Sequence, residues 1–133
     1  TMIRKFKESY SYVGESESGA RVKIPVGGKP RKIEIGKQVG ESCNHLLQEV
    51  FESIKKVIAM ASPQSVFSLL QNIILTGGGS RIRNFDQELQ RLLADDGYED
   101  PEVTISSREI KPFVAMGAMK VAKAARDDQW VRL

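Results

Sequence analysis

Apolar and polar positions recur with two different periods along these 133 residues, and the changes of period mark out the elements. Residues 2–9 predict a short basic helix. SYSYV, residues 9–13, alternates small polar and aromatic side chains and predicts a strand. GESESG, 14–19, is a polar loop. From 20 to 36 the period is two. Val22, Ile24 and Val26 alternate with polar neighbours, Gly27-Gly28 supply a turn, and Ile33 and Ile35 resume the alternation, so a hairpin is predicted. Pro25 and Pro30 cannot donate to a ladder, which puts at least one of the two strands at a sheet edge.

The period then lengthens to that of a helix. Over 37–61, Val39, Cys43, Leu46, Leu47, Val50, Phe51, Ile54, Val57, Ile58 and Ala61 share one face, and Glu49, Glu52, Lys55 and Lys56 fall on the other. Ser62-Pro63 is a start signal, an N-cap serine before a first-turn proline, for a helix over 63–71. Asn72 to Thr76 shows no polar alternation, which predicts a central parallel strand covered on both faces. Asn84 can cap a helix over 85–95, and Gly97 can stop it. EVTIS, 102–106, predicts a second strand. The last helix is expected over 109–126, with Pro112 in its first turn. Its small residues Ala115, Gly117, Ala118 and Ala122 suit close packing on a sheet.

The order from residue 63 is α-β-α-β-α, a parallel crossover unit of expected right hand. The chain therefore divides into an α+β part, 1–62, and part of an α/β layer, 63–133. Two strands make too narrow a sheet to cover both faces of 72–76, so further strands are expected from an upstream segment.

Composition adds exclusions. At 41% hydrophobic and 28% charged residues the chain is of the ordinary globular class. The formal charge is only +3, and the basic residues are interspersed with acids without interleaved aromatics, so no nucleic-acid stripe is read. Cys43 is the sole cysteine, which rules out an intrachain disulfide, fits a reducing cytoplasm, and reads as a core thiol. His45, the sole histidine, lies on the long helix beside apolar neighbours and reads as a packing residue. No apolar run approaches the roughly 18 residues of a membrane span. The opening TMIRKFKE is already a helical pattern, as if entered in mid-fold. Trp130 in the tail serves either packing or a partner contact.

One stretch carries candidate chemistry. In NIILTGGGSRIRNFDQEL, 72–89, an apolar strand runs into three glycines and then a helix. That junction is where open α/β sheets bind ligands. Glycine permits positive φ and lets a ligand touch the backbone, and successive amides can form an anion nest. The spacing is neither a P-loop nor GxGxxG. On the residues alone, a binding turn and a purely structural turn both stay open.

LTGGGSRIRNF resembles the adenosine motif of the actin-like ATPase superfamily, and RKFKESYSYV, 4–13, is similar to the helix-to-strand segment that covers the adenine and ribose there. Arg4, Lys7, Glu8 and Tyr12-Val13 fall at the family's spacing. Within the superfamily, LLQNIILTGGGSRIRN, KESYSYVGE, the GGKP turn and the tail DDQWVRL look like the MamK family of bacterial actins, which organise magnetosomes. The loop ADDGYEDPE, 94–102, and the segment 107–117 differ from those sequences.

The resemblance implies an α/β, actin-like (ribonuclease H-like) ATPase fold, of which this chain is the C-terminal part of the second domain. It makes 1–62 the small outer subdomain and 63–133 the C-terminal part of the inner one. It implies ATP or ADP with Mg²⁺ as cofactor. Gly77, Gly78 and Gly79 would approach the nucleotide by backbone, with Ser80 nearby and Arg81 and Ile82 along the base. Glu8 would take the ribose, Arg4 and Lys7 would flank the adenine, Lys111 would lie near it, and Arg83 would face solvent or cap the turn. The phosphate hairpins, the metal-organising aspartate and the water-positioning residue belong to the upstream part, so these 133 residues alone are expected not to hydrolyse ATP. Self-association into a cytoplasmic filament beside magnetosome membranes, with adaptor proteins, would follow. The competing classes are an actin-fold ATPase without filaments, of Hsp70 or sugar-kinase kind, and a non-nucleotide interaction module.

Overall fold

This computed structural model describes residues 2–14, 20–106 and 111–126, and of 111–113 the backbone only. The order is α1 (Met2–Tyr10), β1 (Arg21–Val26), β2 (Lys29–Glu34), α2 (Gly36–Met60), α3 (Pro63–Leu70), β3 (Ile73–Leu75), a 3-10 turn (Gly79–Arg81), α4 (Phe85–Asp95), β4 (Val103–Ile105) and α5 (Lys111–Ala124).

The hairpin forms as its pattern predicts. Val26 and Lys29 close the ladder around Gly27 and Gly28, whose φ angles of 59° and 76° suit only a glycine-type turn. Counting from that closing pair, Pro25 faces Pro30 at a position where neither strand donates across the ladder. The prolines therefore cost no bond. Among the described residues both strands are edges, since β1 and β2 pair only with each other. β3 and β4 pair in parallel, Ile73 with Val103 and Leu75 with Ile105, as expected of a crossover with α4 between them.

The core lies between α2 and α4. Cys43, Leu47 and Phe51 of α2 meet Phe85, Leu89 and Leu93 of α4, with Val13 and Val103 closing the ends. Cys43 is thus a core thiol, as read from its position. At the far end of α2, Lys55 Nζ reaches Asp96 Oδ2 at 3.0 Å and stands 5.1 Å from the centre of the Phe51 ring. The hydrogen bond to Asp96 raises the Lys55 pKa above its ordinary value. Gly97 then ends α4 in the left-handed region, with φ 95°.

Several expectations are corrected. The helix at the start runs to Tyr10, so no strand covers 9–13, and only Tyr12 makes a β-bridge, to Arg83. Met2, Arg4, Lys5, Lys7 and Glu8 favour the helix that runs on into this stretch, and among the described residues the bridge to Arg83 is the only pairing it makes. Asn84 precedes α4 but caps nothing with its side chain; it takes a left-handed φ of 63°, which asparagine tolerates and the sharp entry into α4 demands. His45 is exposed and pairs with Glu49 one turn on, because α2 turns only one side to the core. Strand β3 is covered on one face only: Ile73 and Leu75 touch the core, and Ile74 is 62% exposed. Among the described residues, Gly117 meets nothing within 4 Å, and Val114, Met116, Met119 and Val121 of α5 are exposed, since the two strands described there offer that helix no broad face. Thr1, the loop 15–19, residues 107–110 and the tail 127–133 with Trp130 lie outside the described residues.

One glycine reports on packing. A Cβ at Gly40 would overlap the Tyr12 phenol, with Cζ at 2.6 Å, and that ring is buried with its hydroxyl donating to the Gly36 carbonyl at 3.3 Å. Gly→Ala inside a helix ordinarily stabilises by about 1 kcal/mol. Here Gly40→Ala is expected to destabilise, by about 1–3 kcal/mol of overpacking, in urea titration. A gain in stability would show that the ring does not sit there. By the same method Leu89→Ala, at a fully buried position, should cost about 2–5 kcal/mol, and Ile74→Ala below about 1 kcal/mol.

Candidate nucleotide site

The glycine turn is built from below. Strand β3 delivers the chain to Gly77, whose φ of 89° is open to glycine at no cost. The 3-10 turn follows, closed by Arg81 N–H to the Gly78 carbonyl (3.3 Å) and Ile82 N–H to the Gly79 carbonyl (3.1 Å). Ser80 is buried, and its hydroxyl donates to the Gly77 carbonyl at 2.8 Å. That hydroxyl holds the turn from inside. Ile82 packs on the core rather than standing free, and buried Phe85 starts α4 beneath it. Arg81 is exposed at the rim.

The outer side of the turn is bare. Among the described residues, a Cβ at Gly77 or Gly78 would meet nothing within 4 Å, and one at Gly79 would touch only Leu46, at 3.8 Å. The Gly77 and Gly78 amides donate to no backbone carbonyl among the described residues. Backbone polar groups so placed need water or a ligand. A group approaching here would meet main chain directly, which suits a nucleotide.

The helix that carries Arg4, Lys7 and Glu8 is tied to this turn. Arg83 N–H donates to the Ser11 carbonyl at 3.3 Å, and Val13 N–H donates to the Arg83 carbonyl at 3.1 Å. Two motifs some seventy residues apart in sequence thus meet through a short parallel bridge at Tyr12 and Arg83. On α1, Arg4 Nε lies 2.9 Å from Glu8 Oε1, an exposed pair one turn apart, and Lys7 is exposed beside them. Lys111 opens α5, and its side chain lies outside the described residues.

Sequence reasoning overlooked three contributors. Arg83, read as a solvent or capping residue, clamps α1 with its main chain. Asn44 Oδ1 accepts from the Gly14 amide at 3.2 Å and so fixes the exit of the same segment. The Tyr12 ring packs on Gly40 and its hydroxyl donates to the Gly36 carbonyl; the four-residue spacing of these glycines in α2 was the one available signal. No group of three His, Cys, Asp or Glu able to hold a metal occurs among the described residues. No helix among them is long and apolar enough to cross a membrane.

A separate concavity of about 530 Å³ lies between α2, α3 and β3, lined by Leu46, Val50, Val57, Leu69 and Ile73 with few polar groups. Its chemistry suits an apolar surface and not a nucleotide.

Known proteins resemble this chain in sequence and fold. The family model described as MreB/Mbl protein matches residues 7–128. The chain is 27% identical over 132 residues to a MamK-like protein of Paramagnetospirillum magneticum, covering 99% of this chain and 38% of that one. It is 32% identical over 128 residues to the actin-like protein MamK of Magnetospirillum gryphiswaldense, covering 96% and 34%. A solved MamK double helical filament superposes with TM-score 0.79 at 29% identity, over 92% of this chain and 37% of that one. A non-polymerising MamK mutant bound to AMPPNP superposes with TM-score 0.76 at 28% identity, over 90% and 36%. The chain spans about a third of the length of the curated relatives it matches. With that match running from the last turn of α1 through the glycine turn and α5, the chain belongs to the MreB/Mbl family, has its α/β actin-like fold, and within that family resembles the MamK actins.

Proposed function

We propose that this chain is the C-terminal part of a bacterial actin of MamK type that binds and hydrolyses ATP and polymerises into a filament. The observation that carries the reading is the clamp of Arg83 on Ser11 and Val13, which ties the segment after the cation- and carboxylate-bearing helix α1 to the segment after the glycine turn. The AMPPNP-bound and filamentous MamK relatives support it. They also favour it over a filament-free actin-fold ATPase and over a module without nucleotide.

In this reading the backbone of Gly77, Gly78 and Gly79 faces the nucleotide, because that side of the turn has room for it. Ser80 shapes the turn, and Arg81 and Ile82 border the base. Arg4 and Lys7 flank the adenine through their stems, and Glu8 accepts from the ribose hydroxyls. The Arg4–Glu8 pair holds the carboxylate in place until the sugar arrives. Lys111 completes the adenine side. When bound, ATP with Mg²⁺ supplies the phosphoryl chemistry, and the groups that clamp phosphate, metal and water come from the upstream two-thirds. These 133 residues position the nucleoside and do not hydrolyse it alone. Residues 1–62 form the outer lobe and 63–133 part of the inner one. The protein lies in the cytoplasm as a cytoskeletal filament beside magnetosome membranes, held by adaptors.

Gly78→Asp separates binding from folding. Gly78 has an ordinary φ of −65° and open space at its Cβ, so the chain should keep its stability within about 0.5 kcal/mol. A carboxylate there would face the nucleotide and repel its phosphates. The full-length protein should pellet on ultracentrifugation with Mg-ATP and stay soluble without nucleotide. The variant should lose pelleting and bind a fluorescent ATP analogue at least about tenfold more weakly, a change of about 1.4 kcal/mol. Equal nucleotide affinity in parent and variant would make the glycines a structural turn.

A further inference from the structure

Asp96-Gly97 is the one place in these 133 residues where an aspartate or asparagine precedes a glycine. That pair has a chemistry of its own. A glycine nitrogen, with no side chain beside it, can reach back to the preceding carboxyl and close a five-membered imide. Asp95 and Asp100 lie in the same segment but suit the reaction poorly. The residue after Asp95 carries a side chain, and Pro101, after Asp100, has no N–H to give up. Asp96 is therefore the reactive acid of the segment, and it stands at the surface.

Three restraints hold the site closed in the fold. The Asp96 carboxylate is taken by Lys55 of α2, whose Nζ lies 3.0 Å from Oδ2 and 3.3 Å from Oδ1. The same bond raises the Lys55 pKa, so the ammonium keeps its proton and its grip at neutral pH. The Gly97 N–H donates to the Ala94 carbonyl at 3.0 Å and the Tyr98 N–H to the Leu93 carbonyl at 3.2 Å, which closes the last turn of α4. Asp96 itself has a ψ of −2°. Ring closure needs the Gly97 nitrogen brought into line with the Asp96 Cβ, at a ψ far from that value. The rotation breaks the Gly97 bond, and the attack needs the carboxyl released from Lys55. Motion of the side chain alone achieves neither. A helix end with its stop glycine is, however, the part of α4 that opens most readily.

We infer that Asp96 is a site of isoaspartate formation gated by Lys55, latent while α2 and α4 are pinned together and reactive when that end of α4 opens. The Gly97 nitrogen bonds to Asp96 Cγ, one carboxyl oxygen leaves as water with the amide hydrogen and the acid proton, and a succinimide remains. Water then adds to one of the two ring carbonyls. Opening at the side-chain carbonyl restores aspartate. Opening at the main-chain carbonyl leaves the chain running through Cβ and Cγ. The mass is unchanged overall, and water is the only reagent. The product has one more carbon in the main chain between α4 and β4. There Tyr98 packs on the core, the Glu102 N–H donates to the Leu70 carbonyl at 2.9 Å, and the Val103 N–H donates to Gln90 Oε1 at 3.2 Å. The added atom therefore loosens the seating of β4. The chemistry is intrinsic to the chain and independent of nucleotide and filament.

Peptide mapping of the full-length protein tests it. Folded parent, parent unfolded in guanidinium, and folded Lys55→Gln and Lys55→Arg are incubated in warm neutral buffer and digested with trypsin. The peptide 92–108, released at Arg91 and Arg108, separates by chromatography into aspartate and isoaspartate forms, and the second resists a protease that cuts before Asp96. The unfolded chain should accumulate isoaspartate at this position, and the folded parent at least about tenfold more slowly. Lys55→Gln should speed the folded reaction about threefold, the scale of a partly exposed ion pair, and Lys55→Arg should keep the parent rate. Raising KCl from about 50 to about 500 mM should speed the folded parent as Lys55→Gln does, because salt screens the pair. Urea titration checks that each variant is folded; if Lys55→Gln is not, the salt comparison decides. An unfolded chain without isoaspartate would deny the chemistry. Equal rates in folded and unfolded parent would deny the closure. A folded Lys55→Gln at the parent rate, or a salt-independent parent, would take the gate away from Lys55. Each of these results overturns the inference.

Discussion

Two backbone hydrogen bonds at Arg83 join the beginning of the chain to its glycine turn, and the candidate site exists only through them. They are main-chain bonds, so they constrain position without depending on the side chain of Arg83. Around them sit the side-chain supports: the Tyr12 ring on Gly40 with its hydroxyl on the Gly36 carbonyl, the Gly14 amide on Asn44, and Val13 sealed in the core. A segment held at three successive residues cannot slide, and α1 is carried by it. The exposed Arg4–Glu8 pair of α1 is worth little as a stabilising contact by itself.

Helix α2 is the spine to which everything else refers. Its inner face supplies Cys43, Leu47 and Phe51 to the core shared with α4, so the two parts distinguished by pattern have one packed interior. Its far end holds Lys55 on Asp96 at the close of α4. Its third surface, together with α3 and β3, lines the apolar groove where Leu46, Val57 and Leu69 stand exposed. Exposed apolar area on this scale, with an uncovered strand face and a bare α5, is what an α/β layer looks like when only two of its strands are present. The short match to the length of the relatives agrees with that.

The sequence by itself determined the elements whose causes are local. Period and turn chemistry placed the hairpin, α2, α3, α4 and both parallel strands within one or two residues, because amphipathic spacing, Gly27-Gly28, Pro63 and Gly97 act on their own neighbours. The glycine turn was legible for the same reason, and resemblance to actin-like proteins joined it to residues 4–13 before any contact was known. Tertiary structure alone decided the rest. A helix won residues 9 and 10 from the predicted strand because the only pairing available to this segment is the bridge at Arg83. His45 went to the surface because a helix buries one stripe and the pattern could not say where its edge fell. Arg83, Asn44 and Tyr12 gained their roles from partners far away in the chain. Spacing along a chain encodes what neighbours do; which distant surfaces meet depends on packing, and packing is a property of the assembled fold.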